Sequence, residues 1–232
     1  LVTGSNGKTT CTFLLSNSLP NCSSTIGNFN NEIGLPLSVM QADRDSEYLV
    51  LEAGAGKPGD IAILSEVVKP HLGLITSISE SHTEFLGDIK GVFNEKTSML
   101  KFIQKDGAFI IGAEFEEGHP LYSGVISLLK QSYRNIFIDA PNLDRKLYSS
   151  QKEMIDAVNE GSFYSKKAFL RNLSDDMSMM EFDYTHLWNR HEYVFQNYES
   201  HLIGFQNMKN IILVADCLRE LNYLSNNDHS NK

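Results

Sequence analysis

The sequence predicts an α/β protein: a P-loop-containing, doubly wound, mostly parallel sheet with helices on both faces and a small antiparallel strand region near the C-terminal end. Three observations carry this expectation. Strand-like apolar runs alternate with helix-period segments through the first half of the chain. The opening stretch "LVTGSNGKTT" sets a glycine-containing loop between the end of a strand and the start of a helix. A length of 232 residues, 41% hydrophobic and 21% charged, suffices for a full core, and the whole of it, 1–232, is taken as one domain.

The elements follow in order. A helix starts at Lys8, its N-terminus supplied by the loop, and runs to Ser18. "EYLVLEAG" (Glu47–Gly54) reads as a buried strand ending in small residues. "PGDIAILSEVVK" has Pro58 and Asp60 at a helix start, with apolar residues at helical spacing. "HLGLITSI" (His71–Ile78) is the next strand, "DIKGVFNEKTSMLKFI" a helix, "GAFIIG" (Gly107–Gly112) and "NIFIDA" two more strands. Residues 141–176 are polar and mixed, and the pattern assigns them no fold. "MSMMEFDY", "HEYVFQNY" and "HLIG" read as short strands of a hairpin or meander. Phe205–Leu224 reads as an amphipathic helix with Ile211, Leu213, Val214, Leu218 and Leu221 in one stripe, followed by a frayed polar tail, "SNNDHSNK".

Charge and cysteine content narrow the function classes. A formal net charge of −9 opposes general binding to nucleic acid or anionic membranes, so any phosphate site is a local positive pocket on an acidic body. Cys11, Cys22 and Cys217 form no CxxC pair and read as thiols of a reducing, cytoplasmic setting. No apolar run reaches bilayer length and no signal peptide is visible. Only "LVT" precedes the loop, so the protein is expected to continue upstream of Leu1. A monomer is the default expectation.

The candidate site lies at the carboxyl ends of the strands, where open α/β sheets bind ligands. Gly4, Ser5, Asn6, Gly7, Lys8, Thr9 and Thr10 have the parts of a phosphate cradle: glycines that let N–H groups point inward, a lysine, and a hydroxyl that can reach magnesium. The strict pattern has a glycine where Val2 stands, which leaves the nucleotide and the chemistry open. The second strand ends in Glu52, with Ala53 and Gly54 leaving room for a bulky ligand. His82 and Glu84 lie just past the end of the third. Hard oxygens such as those of Thr9 and Glu52 suit Mg²⁺. Each piece has a plainer reading, namely a chance match, a solvated glutamate or a structural histidine, and their coincidence at consecutive strand ends is what makes a site. His71, His119, His186, His191, His201 and His229 show no partner pattern.

These motifs resemble the central ATP-binding domain of the Mur ligases, the ATP-dependent amide ligases of peptidoglycan assembly. "TGSNGKTT" is similar to that family's variant phosphate loop, which tolerates a non-glycine at Val2. "LEAGAGKPGDI" resembles the stretch bearing its magnesium-binding glutamate, here Glu52, and "SHTEFLG" the one bearing a histidine for a second magnesium, here His82. "GNFNNEIGLPLSV" (Gly27–Val39) resembles the subgroup that adds D-alanyl-D-alanine. The resemblance runs from Leu1 to about Leu100 and resumes at "LIGFQNMKNIILVADCL". It implies ATP and two magnesium ions as cofactors, and it singles out Lys96 in "GVFNEKTSML" as the family lysine that carries a carbamate. A carbamate reverses the charge of the ammonium and can ligate or orient a metal; without the resemblance, Lys96 reads as a surface lysine beside Glu95. Lys8, His82 and Lys96 are the implied catalytic set, and Thr9, Glu52, His82 and Lys96 the metal set. The resemblance further implies Asn207 as a nucleotide contact and Asn30 and Asn31 as residues expected to line the sugar-peptide path.

The implied reaction joins a UDP-N-acetylmuramoyl tripeptide to D-alanyl-D-alanine. The peptide carboxylate attacks the γ-phosphate of ATP, and the amine then displaces phosphate from the acyl phosphate. Two features depart from the pattern. Gln206 stands where the family has a histidine before Asn207, and it cannot stack or titrate as histidine does. Family members also carry an N-terminal domain for the UDP sugar and a C-terminal domain for the amine, to which no part of 1–232 corresponds, so this stretch by itself is not expected to complete ligation. The alternatives are a Mur-like ligase for another amino acid or of the folylpolyglutamate type, an amidotransferase subunit, and a nucleotide-binding module without catalysis. The folate ligases usually have GKGS at the loop, and three scattered cysteines do not build the amidotransferase zinc insertion.

Overall fold

The computed structural model describes residues 1–81, 83–112, 120, 121, 124, 136–139, 166–173, 180–188, 191–202 and 205–230. The strands are β1 (Val2–Thr3), β2 (Cys22–Ser24), β3 (Tyr48–Val50), β4 (Leu72–Ile75), β5 (Ala108–Gly112), β6 (Ile136–Asp139), β7 (Lys166–Leu173), β8 (Met180–Trp188) and β9 (His191–Ser200). The helices are α1 (Lys8–Ser18), α2 (Gly34–Gln41), α3 (Asp60–Val68), α4 (Thr83–Leu86), α5 (Ile89–Thr97) and α6 (Phe205–Ser230), with a 3-10 turn over Ser98–Phe102 after α5.

Strands β1, β4, β5 and β6 form a parallel sheet in that order, and β2 pairs parallel with β3. A parallel bridge between Val2 and Glu52 sets the end of the β3 run along the free edge of β1. The spatial order is therefore β2-β3-β1-β4-β5-β6, and the chain switches direction about β1. That switch opens the crevice above the carboxyl end of β1. The predicted fold class stands, and the late antiparallel region is the sheet β7-β8-β9.

Alternation along the strands divides the core in two. Leu51, Ile75, Phe109 and Ile111 join Leu35, Ile61, Leu64, Phe93 and Met99 in one apolar cluster. Val2, Val50, Leu72, Leu74, Ala108 and Ile110 join Cys11, Leu15, Leu213, Val214 and Cys217 in the other. So α2, α3 and α5 cover one face and α1 and α6 the other, which is why the strands read as continuous apolar runs. Each fully buried aliphatic or aromatic side chain contributes roughly 1.5–3 kcal/mol.

Several expectations needed correction. The run Glu47–Gly54 holds regular ladder only over Tyr48–Val50, because past Val50 it bridges β1 at Glu52 instead of following β2. The sequence pattern assigns no element over Gly34–Gln41, where the structure has α2: it is only eight residues long and has Pro36 in its first turn, where a missing N–H costs little. Strand β2 is three polar residues with no apolar signal, and β7 falls within the unassigned stretch 141–176. His201 and Leu202 of "HLIG" form a bend rather than a strand. Helix α6 continues to Ser230 instead of fraying from Ser225. Its buried face takes Met208, Ile212, Leu213, Val214 and Cys217, so Ile212 and not Ile211 lies in the core.

One core side chain is a lysine. Lys96, only 2% exposed, is the largest of the fully buried side chains and has no hydrogen bond or ion pair among the described residues. Burial pushes its ammonium down to about 8, the nearby Lys8 adds to that, and Glu95 opposes it. A charge held this way weakens the fold.

Lys96→Met keeps the stem and removes the ammonium, so it is expected to stabilise the protein by roughly 3 kcal/mol below pH 8. The unfolded lysine titrates near 10.5 and the folded one near 8, so the unfolded chain holds the extra proton between those values. Wild type accordingly regains stability as pH rises through that window, and the advantage of the variant vanishes above it. Urea titrations of both proteins in CO₂-free buffer measure the difference, and an advantage independent of pH contradicts this account.

Candidate functional site

The phosphate loop is a tight passage from β1 into α1. Gly4 has φ +151° and Gly7 φ +86°, and Gly7 is the residue that caps α1. A Cβ at Gly7 would sit 2.5 Å from Asn210 Oδ1, so backbone sign and space both call for glycine there. The first intrahelical bond is Cys11 N–H to Gly7 O, at 2.9 Å. The N–H groups of the first turn, Lys8 to Thr10, therefore have no acceptor within the helix, and with the helix dipole they favour an anion. Lys8 Nζ donates to Gly4 O at 2.8 Å and to Ser5 O at 3.4 Å, so the loop's own carbonyls hold the ammonium at its rim.

The strand next door clamps the same loop. Ser5 N–H donates to Ser77 O at 2.9 Å, and Asn6 N–H to Ser77 Oγ at 2.8 Å. Thr76 Oγ1 and Ser77 Oγ both donate to Asn6 O. Ser5 Oγ accepts from Ser79 N–H at 3.0 Å and from Ser81 Oγ at 2.8 Å. The N–H groups of Ser5 and Asn6 are thus committed within the protein, which leaves the α1 end of the loop for a phosphate.

Glu52 lies beside this loop because its backbone is stitched to β1. Val2 N–H donates to Leu51 O and Ala53 N–H to Val2 O, both at 2.8 Å. The Glu52 side chain is 4% exposed, and both its oxygens are engaged: Oε2 accepts from Thr9 Oγ1 at 2.9 Å and Oε1 from Asn30 Nδ2 at 2.8 Å. Its N–H donates to Thr25 Oγ1 at 2.7 Å. The structure divides the predicted pair Asn30 and Asn31. Asn30 holds the Glu52 carboxylate, and its O accepts from Gly54 N–H at 2.7 Å. Asn31 Oδ1 accepts from Ile33 and Gly34 N–H at 3.1 and 2.8 Å and so caps α2.

Asn207, half-buried, accepts from Asn210 Nδ2 at 3.5 Å, while Gln206 is exposed. Sequence reasoning missed Asn210, which is 1% exposed and whose Oδ1 has no hydrogen-bond partner among the described residues although it faces Gly7. The Asn-x-x-Asn spacing of 207 and 210, three apart on one helical face, was the available signal. It also missed Thr76 and Ser77, whose only signal was the hydroxyl-rich run "TSISES". His82 lies outside the described residues.

Thr9 Oγ1 and Glu52 Oε2 make a compact pair of hard oxygens next to the anion-seeking end of α1. Among the described residues no three histidine, cysteine or carboxylate side chains converge as a metal cage. The donor set fits Mg²⁺, which takes one or two protein oxygens and completes its shell with water and phosphate.

Comparison with known proteins places this geometry. The profile of the Mur ligase middle domain matches residues 2–218. The UDP-N-acetylmuramoyl-tripeptide–D-alanyl-D-alanine ligase of Bacillus subtilis is 38% identical over 136 residues, covering 57% of this chain and 29% of that protein. The enzyme of the same name from Borreliella burgdorferi is 31% identical over 169 residues, covering 71% and 36%. Among solved structures, MurF from Acinetobacter baumannii superposes with a TM-score of 0.67 at 20% identity, covering 95% of this chain and 42% of that one. MurF from Thermotoga maritima in complex with ADP gives 0.61 at 23%, covering 95% and 44%. At those identities the likeness establishes a shared fold, and the chain spans about a third of the length of these curated relatives. With the family profile running through nearly all of its described core, the chain belongs to the Mur ligase middle domain family.

Proposed function

We propose that residues 1–232 are the ATP-handling domain of an amide ligase that adds D-alanyl-D-alanine to a UDP-N-acetylmuramoyl tripeptide in the cytoplasm. The observation that carries this reading is the convergence of Thr9 and Asn30 on the two oxygens of buried Glu52, beside the N-terminus of α1, in a chain of this family. The names of the Bacillus subtilis and Borreliella burgdorferi relatives supply the substrates. The tripeptide carboxylate would take the γ-phosphoryl group of ATP, releasing ADP, to give an acyl phosphate; the amine of D-alanyl-D-alanine would then attack the carbonyl, lose a proton and displace phosphate. UDP-sugar recognition and amine delivery belong to parts of the protein outside 1–232.

Bound Mg·ATP supplies an electrophilic phosphoryl group whose charge must be neutralised for an anion to approach it. The chain's own residues do the rest. Lys8 exchanges the Gly4 and Ser5 carbonyls for phosphate oxygens, and the N–H groups of Gly7 to Thr10 face the same charge. Thr9 and Glu52 hold one magnesium ion, with Asn30 fixing the orientation of the carboxylate. Ala53 and Gly54 keep the approach clear. Asn207 and Asn210 border the loop from α6, and Gln206 offers a base a hydrogen bond in place of a ring.

Lys96 and His82 would serve a second ion. An amine whose ammonium titrates near 8 is neutral far more often at physiological pH than an ordinary lysine, and only the neutral form attacks CO₂. The ammonium first gives up one proton; the lone pair of the neutral amine then forms an N–C bond as one C=O π bond of CO₂ opens, a second proton leaves, and the side chain has passed from cation to anion. A binding module without catalysis has no use for a buried lysine that has no partner among the described residues and costs stability, and this favours the ligase reading.

Three results are expected of the full-length protein. Lys8→Ala should weaken ATP binding in calorimetry by about tenfold or more; equal affinity for both proteins removes the cradle from the argument. Glu52→Gln preserves shape and hydrogen bonding, so its melting temperature should change little while turnover falls by about 100-fold; near-normal turnover would falsify the metal role. With carbon-13 bicarbonate, wild type should show a carbamate resonance that is absent from Lys96→Met, and the same resonance in both proteins assigns it elsewhere.

A further inference from the structure

Helix α3 begins at Gly59, in the left-handed region with φ +93°, and no side chain of its own first turn caps it. Asp60, the acid at that turn, accepts instead from Gly56 and Lys57 N–H at 2.8 and 2.9 Å, tightening the loop below. The cap comes from another helix. Glu95 of α5 is 7% exposed, and its two oxygens accept from Gly59 N–H at 2.7 Å and Ile61 N–H at 2.8 Å.

The elements joined by this carboxylate are the ones that carry the proposed site. The loop that ends at Gly59 starts at Glu52, and α5 carries Lys96 at the next position after Glu95. Among the described residues the Lys96 ammonium has no hydrogen-bond partner, and packing holds its buried stem. In a helix consecutive residues are turned by about 100°, so whatever fixes the direction of Glu95 fixes that of Lys96. Two charge-assisted bonds to the dipole end of α3 are a strong, directional anchor. A cap needed only for α3 could come from position 59 itself; one drawn from 36 residues away ties two elements in register.

We propose that Glu95 is a positioning residue: by clamping the N-terminus of α3 it sets the rotation of α5, and so the presentation of the Lys96 amine toward the phosphate loop. This rests on the reading of Lys96 given above. Glu95→Gln keeps the shape but can offer only one oxygen to two N–H groups, and its amide opposes the second.

The experiment compares full-length wild type, Glu95→Gln and Lys96→Ala for kcat, KM for ATP and the carbon-13 carbamate signal at fixed labelled bicarbonate. Hydrogen exchange at Gly59 and Ile61 runs alongside as a readout of the clamp. Glu95→Gln should lose about tenfold in kcat with KM for ATP within about twofold. Its carbamate signal should fall in parallel, both should recover partly as bicarbonate is raised, and exchange at the two amides should quicken. A purely structural cap predicts otherwise: lower melting temperature and faster exchange with kcat and carbamate unchanged, and that result overturns the proposal. Should Glu95→Gln fail to fold, Glu95→Asp, which keeps the charge and shortens the reach, is read by the same criteria. Lys96→Ala with normal turnover defeats the reading of Lys96 itself, whereas an inactive Lys96→Ala beside a fully active Glu95→Gln defeats only the role of Glu95.

Discussion

Two backbone hydrogen bonds at Val2, one to Leu51 and one from Ala53, bring a carboxylate to the mouth of the phosphate loop. Glu52 and Thr9 are 43 positions apart in the chain, yet their side chains meet at 2.9 Å, because the end of the β3 run lies against β1. The rest of the site depends on that edge. If the run paired with β2 alone, Glu52 would end on the far strand, with Asn30 and Gly54 carried away with it. The crossover that makes β1 central, flanked by β3 and β4, supplies loop partners from both sides at once: the carboxylate from one and the hydroxyls of Thr76 and Ser77 from the other.

Charge is distributed against stability at this centre. The molecule is acidic overall, with a formal net charge of −9, but beside Glu52 the loop region also gathers two cations, Lys8 and Lys96, near enough to repel one another. Lys8 finds carbonyl acceptors; Lys96 finds none among the described residues and is left to packing. Lysine in a core is ordinarily replaced or paired, because desolvation of the ammonium is not offset. A lysine at this place, with Glu95 turned to a neighbouring helix instead of to the ammonium, is the kind of local conflict that accompanies function.

Rigidity and freedom are also unevenly shared along the loop. Ser5 and Asn6 are held by three hydroxyls, those of Thr76, Ser77 and Ser81, by the Ser79 N–H and by the Ser77 carbonyl, so the first half of the loop is set before any ligand arrives. The second half, from Gly7 into α1, keeps its N–H groups unspent and its lysine on exchangeable acceptors. A preset frame with uncommitted donors lowers the ordering cost of binding.

What the sequence by itself determined was local: alternation of apolar runs with helical spacing marked β4, β5, α1 and α3, and the order Gly-Lys-Thr marked the candidate anion site, because each is written within a few consecutive residues. Short polar elements escaped it: β2, three residues with no apolar signal, and α2, with Pro36 in its first turn, become regular only through partners elsewhere in the chain. The same limit applies to the site. Glu52 was legible as a strand-end acid, but the hand of Asn30 on it, the cap from Asn31, the Asn210 oxygen against Gly7 and the Glu95 clamp join positions from two to about 200 apart. Such pairings are decided by the packing of the sheet and its helices, since a side chain's partner is set by which backbones lie side by side and not by its neighbours in sequence.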